Sequence, residues 1–182
     1  MNAQEHLRSL VASDALERGD FTLASGKKAS YYLDCRKITL HPRGACLIGQ
    51  VMLDRVSDNL PDAVGGMAIG ADPITAAIVT TAGQRNLALR GFMVRKQPKG
   101  HGTGKQVEGP VQSGDEVVIV EDVITSGGSA IKAVEAARAF GLNVRSVLAI
   151  VDRLAGGEQA FAEIGVPLET LFTIRDFGIE PE

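Results

Sequence analysis

The residues most able to do chemistry lie in one stretch, VVIVEDVITSGGSAIKAV, which starts at Val117. Four apolar residues run into two adjacent carboxylates, Glu121 and Asp122. The turn-forming run Thr125-Ser126-Gly127-Gly128-Ser129 follows and opens a helix-like pattern. A strand-to-helix turn of this composition offers unpaired N–H groups, hydroxyls and the positive end of a helix dipole, which suit a phosphate. No GxxxxGK[ST] loop occurs in the chain, and this turn lacks the GxGxxG dinucleotide fingerprint. Read alone, the turn is equally a plain capped connection. The carboxylates alter that balance, because they repel each other and would repel a phosphate. Beside an anion cradle they fit a hydroxylated sugar, a divalent cation or a developing positive charge. The structural alternative is a salt-bridged strand end or a helix cap.

A second chemical stretch, RKQPKGHGTGKQVEGP, runs from Arg95 to Pro110 and is rich in Lys, Gly and Pro. It reads as a mobile loop longer than most connections in a compact domain. By itself a basic segment of this kind is more commonly a solvated linker.

The surrounding pattern must position these groups. Leu7, Leu10, Val11 and Leu16 approximate one helical face, which predicts a helix ending at Gly19. FTLASGKKASYYLD predicts two short strands around a turn at Ser25-Gly26-Lys27. A helix is expected from near Pro42 to about Asn59, then a small apolar strand, AVGGMAIG. ADPITAAIVTTAGQR predicts a helix with Asp72 as its cap and Pro73 at its first position. LALRGFMV, EVVIVED, VRSVLAIVD and LETLFTI read as strands, and SAIKAVEAARAF and GEQAFAEIG as helices. This alternation implies an α/β fold: a mainly parallel central sheet flanked by helices, with right-handed crossovers. The amino-terminal helix and hairpin fall outside the alternation and form a small extra lobe. The expected organisation is one domain over 1–182, with a hood at about 1–40 and a core at about 41–182.

Bulk composition excludes several classes. The 182 residues carry 45% hydrophobic and 23% charged side chains, as in an ordinary globular domain. A net charge of -3 disfavours nucleic acid as a partner. No apolar run is long enough to span a bilayer. Glu5, Asp14 and Glu17 interrupt any signal-peptide pattern, so no membrane and a cytoplasmic location are expected. Cys35 and Cys46 have no metal or redox spacing and read as two reduced, buried thiols.

VVIVEDVITSGGS resembles the phosphoribosyl-diphosphate (PRPP) motif of the type I phosphoribosyltransferases: apolar strand, acidic pair, Thr-rich phosphate loop. FTLASGKKASYYLD, VRKQPKGHG and IVDR followed by Gly-Gly resemble the orotate phosphoribosyltransferases within that group, so the resemblance spans about residues 20 to 157. It implies the type I fold with a small hood and a flexible catalytic loop, and transfer of the 5-phosphoribosyl group from PRPP to orotate with Mg²⁺. It implies that Val123, Ile124, Thr125, Ser126, Gly127, Gly128 and Ser129 bind PRPP, with the loop from Thr125 to Ser129 holding the 5-phosphate. Glu121 and Asp122 would accept the ribose hydroxyls beside Mg²⁺, which is held mainly through PRPP. Arg95, Lys96, Lys99 and His101 would bind the pyrophosphate, with Lys99, His101 and Asp122 in the catalytic set. In the family the basic loop closes over the neighbouring subunit, which implies a homodimer with shared active sites.

The same resemblance gives the orotate contacts to Thr125 and Arg153, and packs the hood residues Tyr31 and Tyr32 on the base. A core role for the two tyrosines is an equal reading. The turn Gly70-Ala71-Asp72 matches a pyrophosphate-binding turn that often has unusual peptide geometry; for Asp72 a simple helix cap is as good a reading. Some relatives have Lys where this chain has Ala24, and many have Lys in the pyrophosphate turn, where this chain has none. A purine or uracil phosphoribosyltransferase and a non-catalytic PRPP-sensing regulator are the rival readings. Arg153 and the hood stretch disfavour the first; the intact basic loop and the acidic net charge disfavour the second.

Overall fold

The computed structural model describes residues 2–22, 28–97 and 105–181. The expected turn at Ser25-Gly26-Lys27, Ala24, and the loop residues Lys99 and His101 lie outside the described residues. Among the described residues there are two sheets and six α-helices: α1 Ala3–Leu10, α2 Arg36–Thr39, α3 Pro42–Val56, α4 Asp72–Gln84, α5 Gly128–Phe140 and α6 Gly157–Glu163. A hairpin pairs β1 Leu16–Thr22 with β2 Lys28–Leu33. The main sheet contains β3 Ala63–Met67, β4 Arg90–Val94, β5 Val107–Glu108, β6 Glu116–Ile124, β7 Asn143–Asp152 and β8 Leu168–Thr173. Its spatial order is β5-β4-β3-β6-β7-β8, parallel throughout except for β5, which runs antiparallel to β4.

Strands β6 and β7 are buried on both faces, which is why they read as nearly unbroken apolar runs. Alternate side chains go to opposite layers. Val118, Val120, Leu148 and Ile150 join a core beneath α1, α3 and α4. Val117, Ile119, Val147 and Ala149 join a second core beneath α5 and α6. The first core also takes Leu16 and Tyr31 from the hairpin, so the amino-terminal lobe is packed onto the main sheet rather than tethered to it. Among the described residues, no helix is long and apolar enough to cross a membrane.

The structure corrects several boundaries. The first helix does not reach Gly19. α1 is set by a reciprocal cap between Asn2 and Glu5, passes into a wide π-helical turn over Val11–Ala15, and gives way to β1 at Leu16. Cross-strand pairing of Leu16 with Leu33 and of Arg18 with Tyr31 outweighs the helical spacing. Asp72 does not cap α4: Ala71 holds the cap position, and no side-chain cap bond forms. The end of the basic connection is not wholly loop, because Val107 and Glu108 form β5 on the edge of β4. Cys35 is buried as expected, but Cys46 is exposed on the outer face of α3.

The close approach of β3 to its neighbours depends on Gly66. A Cβ there would lie 2.2 Å from the Val120 carbonyl oxygen and 2.7 Å from the Ala71 Cβ. Both neighbours are buried and neither can swing away. Gly66→Ala is expected to destabilise the fold by about 3 kcal/mol through overpacking, a fall of roughly 6–12 °C in thermal midpoint for a domain of this size. A calorimetric or circular-dichroism melt checks this.

Candidate active site

A parallel sheet aims its strand ends, and the helix N-termini that follow them, toward one edge. Here the carboxyl ends of β3, β6 and β7 open into a cleft of about 530 Å³. Glu121 and Asp122 come from the end of β6, Thr125 from the turn after it, Ser129 from the first turn of α5, Gly70 from the turn after β3, and Arg153 from just beyond the end of β7. Lys96 lines the same cleft just beyond β4. The run Val123 to Ser129 encloses an adjoining hollow of about 160 Å³. Gly127 precedes α5 with φ of 80°, a left-handed conformation that favours glycine, and a Cβ there would strike the Phe161 ring at 2.9 Å. The glycine thus lets the turn fold tightly over α6 while lining the hollow.

Glu121 is only 5% exposed. Its Oε1 lies 3.4 Å from the Asp122 backbone nitrogen, and its Oε2 is buried without a hydrogen-bond partner among the described residues. Burial, reinforced by the negative charge of Asp122, pushes its carboxyl from the ordinary 4.5 up to about 8. Asp122 is anchored differently: its Oδ1 accepts the Val123 N–H at 2.8 Å. One acid is therefore sequestered and short of donors, while the other is held at the strand end. Gly70 faces both, since a Cβ there would sit 3.4 Å from Glu121 Oε1 and 3.6 Å from Asp122 Oδ1.

The cleft also gathers residues that sequence reading passed over. Asp34 and Arg36 form a two-point ion pair at its mouth, with Nε and Nη2 at 2.7 and 3.0 Å from the carboxylate. That pair holds the Asp34 carboxyl below its usual range. Cys35 lies between them in sequence, and burial, aided by the charges of Asp122 and Asp34, pushes its thiol up, so it is not a ready nucleophile. Leu40 and Ile69 line the cleft as exposed apolar side chains, Ile69 at 80% exposure. The short helix α2 brings in the first group, and four residues are too few for periodicity to reveal.

Other expected site residues are placed apart. Arg95 pairs with Glu108 at 3.2 Å across the base of the basic connection and does not line the cleft. Asp72 lines a separate groove with Thr75, Phe92 and Met93. Its buried Oδ1 has no partner among the described residues, and burial raises its carboxyl. The unusual peptide is a cis bond between Ala68 and Ile69, directly before the Gly70-Ala71-Asp72 turn. Tyr31 is 2% exposed and Tyr32 40% exposed, and neither lines the cleft. Tyr32 instead rests against Phe21, with ring centroids 5.8 Å apart.

The raised Glu121 carboxyl has a consequence for stability. Its folded value lies above its unfolded value, so its stabilising contribution is full below pH 4.5 and is lost as pH rises through about 8. Glu121→Gln is expected to flatten that part of the stability profile of the ligand-free protein. Thermal melts from pH 4.5 to 8.5 check it, and an unchanged slope would refute the assignment.

Comparison with known proteins agrees with this arrangement. No family model matches the chain. An orotate phosphoribosyltransferase of Rhodopirellula baltica is 69% identical over 181 residues, covering 96% of this chain and 94% of the relative. A crystal structure of Mycobacterium tuberculosis orotate phosphoribosyltransferase superposes with a TM-score of 0.87 at 36% identity, covering 98% of this chain and all of that one. Another structure of the Mycobacterium tuberculosis enzyme, in complex with PRPP, gives a TM-score of 0.82 at 32% identity over 98% of this chain and all of that one. Identity at this level along nearly the whole length makes the chain a member of the orotate phosphoribosyltransferase family.

Proposed function

We infer that this cleft is where PRPP and orotate meet. As a member of its family, the protein transfers the 5-phosphoribosyl group from PRPP to orotate, forming orotidine 5′-monophosphate and pyrophosphate in pyrimidine biosynthesis. The observation that carries the residue assignment is the shared cleft, which joins an acidic pair, an anion cradle and a cation at the end of β7. The loop from Thr125 to Ser129 takes the 5-phosphate through N–H groups and hydroxyls, with Val123 and Ile124 beside it in the PRPP site. Glu121, with its donor-starved Oε2, and Asp122 take the ribose hydroxyls. As pyrophosphate departs, the anomeric carbon gains positive charge, and carboxylate at Asp122 stabilises it. Arg153 and Thr125 take the orotate, the guanidinium matching its carboxylate.

Lys96 provides positive charge at the cleft for the pyrophosphate. Lys99 and His101 join it by the family resemblance, and Arg95 would have to leave Glu108 to do so. The residues present fit Mg²⁺ as a companion of PRPP. Two carboxylates leave most of an octahedral shell to substrate oxygens and water, and no group of three acidic, His or Cys side chains forms a metal cluster among the described residues. When bound, the ion neutralises pyrophosphate charge. The amino-terminal hairpin is the hood of a single-domain enzyme. PRPP and its product are multiply charged and do not diffuse through membranes, which supports a cytoplasmic place for the reaction.

Orotate-dependent release of pyrophosphate from PRPP tests the reading, with hypoxanthine, adenine and uracil as competing bases. Orotate alone should support turnover, and Asp122→Asn should lower kcat by roughly tenfold or more with the fold intact. Preference for another base would replace the substrate, and an unchanged kcat would leave the acidic pair merely structural.

The basic connection is assigned to the active site of a partner subunit in a two-fold dimer. Lys99→Ala and Asp122→Asn, each nearly inactive, are mixed after reversible dissociation. About half the dimers become mixed, and each mixed dimer holds one site with intact loop and intact core, so about a quarter of wild-type activity should return. With subunit exchange verified separately, no recovery would mean that each loop serves its own chain.

A further inference from the structure

Arg153 is held in an unusual way for a residue expected to meet a substrate. Its backbone N–H donates to the Ile124 carbonyl at 2.9 Å, which ties it to the end of β6. Its side-chain Nε donates to the Tyr31 hydroxyl at 2.7 Å. The guanidinium carbon also lies 4.6 Å from the centroid of the Tyr31 ring, within cation–π range. Tyr31 itself is buried in the core beneath α1 and α3, on β2 opposite Arg18, and stays behind the cleft wall that Arg153 helps to form. No carboxylate among the described residues pairs with Arg153. Among the described residues, a long, charged side chain is thus fixed by a neutral phenol and not by an ion pair.

We propose that Tyr31 is a positioning residue for the base: its hydroxyl and ring lock Arg153 so that the terminal Nη1 and Nη2 groups present a fork to the orotate carboxylate. The inference rests on the reading of Arg153 as the orotate cation. A guanidinium can offer a carboxylate either its Nε–Nη edge or its Nη–Nη end. With Nε given to Tyr31, the end-on fork is the one that remains. A neutral acceptor is suited to this task, because an Asp or Glu in its place would cancel the charge that the substrate needs. Fixing the rotamer before binding also removes ordering entropy that orotate binding would otherwise have to supply. The hairpin therefore acts on the base through Arg153 and not by stacking Tyr31 on the ring.

Steady-state kinetics of Tyr31→Phe, Arg153→Ala, Arg153→Lys and the Tyr31→Phe/Arg153→Ala double variant test this. Tyr31→Phe keeps the ring and removes the acceptor. It should raise KM for orotate by about tenfold while KM for PRPP and kcat stay within about twofold. The double variant should match Arg153→Ala alone, because the hydroxyl acts only through the guanidinium. Arg153→Lys has no Nε and leaves Tyr31 intact, so it should lose orotate affinity as Arg153→Ala does. If Arg153→Ala weakens orotate but Tyr31→Phe does not, or if the two effects simply add, the positioning role is wrong and the orotate assignment stands. Parallel loss in both substrates and in kcat for Tyr31→Phe would make the tyrosine a packing residue and overturn the proposal. Unaltered orotate saturation in both Arg153 variants would sink the proposal and the assignment together.

Discussion

Two carboxylates at the end of a buried strand impose the constraint on which the site depends. Glu121 and Asp122 are adjacent in sequence, are both acids, and stand at the carboxyl end of a central strand. Among the described residues Glu121 Oε2 has no donor, and burial with the neighbouring charge pushes that carboxyl up to about 8. An arrangement of this kind is costly for a resting fold and favourable only when hydroxyls, a cation or positive charge arrive. The rest of the protein holds it in place. β6 is clamped between β3 and β7, and its two faces belong to different cores.

The same strand supplies both signs of recognition. Within nine residues, from Glu121 to Ser129, the chain passes from an acidic pair to a glycine turn that lines an adjoining hollow, the polarity that the proposed PRPP site requires. The separation works because the backbone reverses at Gly127 and starts α5, aiming the helix dipole back at the cradle. PRPP has complementary polarity along its own length, with a phosphate, then hydroxyls, then the carbon that becomes cation-like.

The amino-terminal hairpin takes a different part from the one its aromatic residues suggest. Tyr31 enters the core and holds Arg153, while Tyr32 stays outside against Phe21. The residues that reach the cleft from this lobe are Leu33, Asp34, Cys35, Arg36 and Leu40, delivered by the end of β2 and the short helix α2. The lobe thus contributes a charged mouth and a fixed guanidinium, two features that belong to packing and not to local pattern.

The sequence by itself determined the parallel sheet, its major helices and the central chemical pairing. Buried strands advertise themselves as long apolar runs, and the acidic pair and phosphate turn are contiguous, so their proximity needs no fold to establish it. Local spacing was a poorer guide at the amino terminus, where strand pairing with β2 drew Leu16 to Gly19 out of the expected helix. It also failed at Asp72, whose cap position went to Ala71 because the chain turns one residue earlier. Only the tertiary structure decided what came from distant segments. Arg95 meets Glu108 because β5 folds back on β4, Gly70 meets Glu121 because β3 lies beside β6, and Tyr31 meets Arg153 across more than a hundred residues. A one-dimensional pattern records which side chains share a strand or a helix face, but the partner of a polar group buried between elements is set by how those elements pack.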